Sequence, residues 1–142
     1  MKRVLRLLAL VAATVGVSAS CGCGSSAPPP GPATVRGRVT LNGQPVAGGL
    51  VVFTPSPERG GRGKPAHAET GPDGGYALAL DGSDRIAPGW YRVSLAPPPA
   101  VSADPPALAF PAKLARPDLS GLEREVRAGN DHVFEFAVEV KD

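Results

Sequence analysis

From residue 34 onward the chain repeats one pattern: apolar and polar positions alternate for a few residues, then a turn signal interrupts them. Thr34–Leu41 (TVRGRVTL) places Val35, Val39 and Leu41 on one side and Arg36, Arg38 and Thr40 on the other. Successive side chains of an extended strand point to opposite faces, so this segment predicts a strand with one apolar and one basic face. Asn42-Gly43 closes it with two residues that accept positive φ. Leu50–Thr54 (LVVFT) predicts a buried strand, and Ala66–Thr70 (AHAET) a short, mostly polar strand near a sheet edge. Between them Pro55–Pro65, rich in proline, glycine and charge, reads as an exposed loop.

Glu69–Leu95 holds two further strands, each opened by a turn signal and each carrying a tyrosine. Asp73-Gly74-Gly75 leads into Tyr76, Leu78 and Leu80 and is expected to make a hairpin. Pro88-Gly89 leads into Tyr91, Val93 and Leu95, which leaves Trp90, Arg92 and Ser94 facing outward. Residues 97–119 are the least regular part, because Pro97-Pro98-Pro99 and Pro105-Pro106 exclude ladder pairing. A loop of that length in a small domain is a candidate contact surface. Leu122–Arg127 (LEREVR) suits helix or strand, but Gly121 and Gly129 hold it to strand length. Asn130-Asp131 then turns the chain into His132–Val140, where Phe134, Phe136, Val138 and Val140 alternate. Seven such strands and no convincing helix predict an all-β, antiparallel, seven-stranded β-sandwich over residues 34–142.

What precedes residue 34 has a different character. Residues 1–20 start with Lys2, Arg3 and Arg6, continue in the apolar run Leu7–Val17 and end in Ser18-Ala19-Ser20, the plan of an export signal peptide. The apolar run falls short of the roughly 20 residues that span a bilayer. Residues 21–33 are a Pro/Gly/Ser-rich flexible tether, whose polyproline reach is about 35 Å at about 3.1 Å per residue. Ser18-Ala19-Ser20-Cys21 resembles the processing site of bacterial lipoprotein precursors, in which the cysteine that follows the cut carries diacylglycerol. The resemblance implies lipid on Cys21, with Cys23, preceded by Gly22, as the alternative; the aliphatic residue usual three positions before the cysteine is lacking at Cys21.

Composition narrows the function classes. Gly 18 and Pro 17 make up about a quarter of the chain, which together with β-branched alternation suits short strands joined by tight turns. Removing the leader takes three of the 15 basic residues and leaves a near balance against 13 acidic ones, so nucleic acid is not an expected partner. Cys21 and Cys23 are the only cysteines, so the domain has neither a disulfide nor a thiolate metal site. His67 and His132 could be joined with Glu69 in a zinc site, but two isolated strand histidines read as surface residues, and no metal or other cofactor is expected. Asp81-Gly82-Ser83-Asp84 lacks the further ligands of a calcium loop and reads as a turn. Gly60-Gly61-Arg62-Gly63-Lys64 is not followed by a helix that could cradle phosphate.

The order of segments resembles the carboxypeptidase regulatory-like domain, a transthyretin-like sandwich of immunoglobulin-like architecture. The matching stretches are VRGRVTLNGQPVAGGLVVFTP, ETGPDGGYAL, APGWYRVSL and FPAKLARPDLSGLEREVRAG followed by HVFEFAV. In that family the domain is an appendage, and the resemblance implies no catalytic activity. The expectation is therefore a non-enzymatic, membrane-anchored lipoprotein outside the cytoplasm. It would act as a structural or protein-interaction module, with a cell-envelope protein or a glycan as partner. The alternative is a carbohydrate- or small-ligand-binding module using Trp90 and the 97–119 loop; a hydrolase using His67 or His132 is the weakest reading.

Overall fold

The computed structural model describes residues 31–98 and 110–141. The expected leader, Cys21, Cys23, most of the expected tether and residues 99–109 lie outside the described residues. The strands are β1 (Thr34–Leu41), β2 (Gln44–Pro45), β3 (Leu50–Pro55), β4 (Ala66–Glu69), β5 (Gly75–Ala77), β6 (Gly89–Ala96), β7 (Leu122–Val126) and β8 (Asp131–Val138). One sheet is β4-β3-β6-β7, antiparallel throughout. In the other, β2 and β5 pair antiparallel along one side of β1, and β8 runs parallel along its other side.

Two expectations are corrected here. Eight strands occur among the described residues instead of seven, because Gln44–Pro45 pairs with Thr40 and Leu41 although it is too short to show an alternation. The sandwich is also not wholly antiparallel. After β7 the chain turns at Gly129 and Asn130 and crosses to the opposite sheet, where no tight hairpin sets its direction, and β8 meets β1 running the same way.

The alternation decides which side chains fill the space between the sheets. Val35, Val39 and Leu41 of β1, Val51 and Phe53 of β3, Tyr91, Val93 and Leu95 of β6 and Phe136 of β8 are all buried. Phe53 is 0% exposed. Its ring lies 6.0 Å from Tyr91, 6.1 Å from Phe134 and 6.3 Å from Phe136, centroid to centroid. Residues just before β1 already belong to the fold: Ala33 is buried and exchanges backbone hydrogen bonds with Ile86, its N–H donating at 2.9 Å and its carbonyl accepting at 2.7 Å.

The two flanks of the sandwich differ. Asp73-Gly74-Gly75 makes a turn as expected, with the Gly71 N–H on the Gly75 carbonyl at 2.8 Å, but not a simple hairpin. Its two arms go to different sheets, β4 to β3 and β5 to β1. Beyond β5 the strand crosses over: the Leu78 N–H still bonds to Val35 of β1, and Ala79 exchanges bonds of 3.0 and 3.1 Å with His67 of β4. That crossing laces one flank shut. On the other flank, among the described residues, β7 and β8 are both edge strands, and the turn that joins them is the only backbone link the two have.

Candidate functional site

Trp90 sits on β6 opposite Glu125 of β7, on the outer face of its sheet, since its neighbours Tyr91 and Val93 face the core. The ring is half-buried. Its cover is Arg59, whose guanidinium lies 4.1 Å above the indole. Arg59 comes from a 3₁₀ turn, Pro57–Arg59, which Gly60 ends with a φ of 75°. Arg59 is held in turn by Glu123 at 3.1 Å, and the adjacent Arg92 pairs with Glu58. Among the described residues the indole thus packs beneath the 55–65 loop. The reason is local: the turn brings a cation over the electron-rich face of the indole. Ser94, expected to face outward, is buried.

The histidines are far apart in the fold. His67 is exposed on β4, at the laced flank, whereas His132 is on β8 of the other sheet at the open flank. His132 faces inward, stacked on Phe134 at 5.3 Å, with Nε2 at 2.9 Å from the Arg127 amide nitrogen and 3.1 Å from its carbonyl oxygen. Among the described residues no three His, Cys, Asp or Glu side chains come together as a metal site. Asp81 and Gly82 form a turn, with φ values of 50° and 81°, between Leu80 and Ser83, which bond each other at 2.8 and 3.0 Å. Lys64, in the glycine-rich segment, pairs with Asp81 at 2.9 Å.

The two tyrosines are structural. The Tyr91 hydroxyl donates to the Ala87 carbonyl at 2.7 Å, a tyrosine-corner arrangement that fixes the entry to β6. The Tyr76 hydroxyl donates to the Phe134 carbonyl at 2.7 Å. Burial pushes both phenols above their ordinary range, so both are neutral donors.

The feature that sequence reading missed is at the open flank. Leu122, Arg124 and Val126 share the inward face of β7, as their pairing with Val93, Tyr91 and Gly89 shows. Arg124 therefore points between the sheets, its guanidinium carbon 4.9 Å from the Phe136 ring centre and 5.8 Å from that of Phe134. It looks into a groove of about 350 Å³ whose walls include Leu114, Ser120, Leu122, Phe136 and Val138. The signal lay in LEREVR: read as a strand, its alternation puts an arginine on the apolar side.

The fold thus defines a small all-β sandwich domain. No family model and no curated protein matches the chain. Among solved structures it is similar to the dioxygenase domain of a dioxygenase–carbohydrate-binding fusion protein from Streptomyces sp. SirexAA-E. That match has 23% identity and a TM-score of 0.44, and covers 82% of this chain and 85% of the other. It is also similar to a DUF3823 family protein from Parabacteroides merdae, with 17% identity and a TM-score of 0.41, over 77% of this chain and 46% of that one.

Proposed function

We propose that this chain is an exported, lipid-anchored, non-enzymatic interaction module built on a carboxypeptidase regulatory-like sandwich, and that it binds its partner along the edge of β8, which no other strand pairs with among the described residues. One observation carries the contact surface. The Thr34 N–H bonds to Asn130 O at 3.2 Å and the Asn42 N–H to Val138 O at 2.8 Å, so the even-numbered residues of β8 face β1. By the two-residue period, Val133, Glu135 and Ala137 turn their N–H and C=O groups away from the sheet. Val133 is 58% exposed and apolar, and such an edge is a template for an incoming strand.

The anchor rests on the leader and on Ser18-Ala19-Ser20-Cys21. Mass spectrometry of the protein purified from membranes is expected to find diacylglycerol on Cys21, or on Cys23 if the cut falls later. An unmodified chain that still begins at Met1 overturns the export reading. For the contact surface, a photo-crosslinker at Ala137 is expected to form a protein adduct in intact cells that Val133→Pro removes. That proline deletes an outward N–H without touching the β1 ladder. An adduct that persists undiminished in Val133→Pro, with the fold intact, overturns strand addition.

A further inference from the structure

Among the described residues Arg124 is a charged side chain without a counter-ion in a place where it needs one. Arg59, Arg92, Arg116 and Arg127 each have a carboxylate partner, whereas among the described residues Arg124 has none within ion-pair distance. Its only hydrogen bond there is from Nη1 to the Glu123 carbonyl at 2.7 Å. Lys113, Glu135 and Glu139 line the same groove, but among the described residues neither Lys113 nor Arg124 has a carboxylate within ion-pair distance. A guanidinium drawn partly out of water over two aromatic rings is a receptor for an anion, because each N–H it cannot share with water favours an acceptor that arrives with charge.

We infer that the partner of this flank is an extended peptide segment that pairs with the edge of β8 left unpaired among the described residues and brings a carboxylate side chain beside Phe136 to Arg124. The inference rests on the strand-accepting reading above and names the side chain that reading leaves open. A strand added to β8 lies about 4.8 Å away. Its inward residue opposite Phe136 has its Cβ about 4.5–5.5 Å from that of Phe136. A glutamate or aspartate there is next to the ring on which the guanidinium is stacked, and Leu122 and Val138 line the path of its stem. The groove itself excludes one occupant. In a second copy paired through its own β8, the inward residues are His132, Phe134, Phe136 and Val138, and none of them is an acid. By the two-residue alternation the Glu135 side chain turns to the outer face, so a second copy paired in this way offers Arg124 no inward carboxylate from β8.

The test uses the full-length chain and two blocked nine-residue peptides of alternating threonine and valine. One carries a glutamate at a central valine position, the other a glutamine there. Calorimetry is expected to show the glutamate peptide binding at least tenfold tighter, with the amides of Val133, Glu135 and Ala137 protected from hydrogen exchange in the complex. Arg124→Met, which keeps an apolar cover over Phe136, is expected to bring the ratio near one with the melting temperature retained. Arg124→Lys is expected to keep part of the preference and gives the readout if the methionine variant does not fold. Equal binding of the two peptides to the unaltered chain, or a tenfold preference that survives Arg124→Met, overturns the carboxylate inference and leaves strand addition standing. If neither peptide protects those amides, strand addition falls and the inference with it.

Discussion

Gly37 shows how much a single missing carbon can decide. It lies between Tyr76 of β5 and Phe134 of β8 in the register of the first sheet. A Cβ at this position would stand 1.8 Å from the Phe134 carbonyl oxygen and 2.9 Å from the Tyr76 hydroxyl. Its absence lets the tyrosine reach across β1 and bond to the far strand. Gly37→Ala is therefore expected to lose at least about 1–3 kcal/mol as the ladder shifts, measurable by urea denaturation. Tyr76→Phe, which removes only the bond, is expected to lose about 1 kcal/mol. Ser56 makes the opposite case. It is buried and its hydroxyl has no partner among the described residues, although its backbone N–H bonds to Trp90 O at 2.9 Å. Ser56→Ala is expected to hold or raise the melting temperature, because an unpartnered buried hydroxyl costs about 1–3 kcal/mol of desolvation.

At the scale of elements, the turn at Asp73 is tuned by charge. The Gly75 N–H donates to Asp73 Oδ1 at 3.0 Å, and with Arg38 at 3.5 Å this holds the carboxyl below its ordinary value of 3.8. A carboxylate whose folded pKa is below the unfolded one adds stability above the unfolded pKa and loses it as pH falls through the folded value. Stability is thus expected to drop on acidification below about pH 4, and Asp73→Asn to flatten that limb in a pH series of melting curves. The 3₁₀ turn over β6 is testable by light. Arg59→Ala is expected to shift Trp90 emission to the red by uncovering the indole, at a stability loss of about 0.5–1 kcal/mol. An unshifted spectrum would show that Arg59 does not shield the ring. These elements were unequally legible in the sequence. β1, β3, β6 and β8 show themselves by period two, since each has one face in the core. β7 was ambiguous because Leu, Glu and Arg favour helices, and the ambiguity hid Arg124. The crossing after β5 was invisible, because Tyr76, Leu78 and Leu80 alternate identically whichever sheet they join. The covering of Trp90 by Arg59 was equally hidden, as it depends on where a loop folds back.

At the scale of the molecule, the consequence lies in the direction of β8. Because β1 and β8 run parallel in unbroken register from Thr34 against Asp131 to Leu41 against Val138, the start of one strand and the end of the other lie at opposite ends of the ladder. A pull on the chain ahead of Thr34 against a pull beyond Val138 slides the strands past each other and loads every rung together. A pull between Leu41 and Val138, which are neighbours, opens the rungs one at a time. Single-molecule stretching is expected to need a clearly higher force in the first geometry than in the second, and equal forces would remove the ladder as the bearing element. A domain held by its leading end and gripped near its trailing strand would then resist tension like a lap joint, a property set by strand direction and by no side chain in particular.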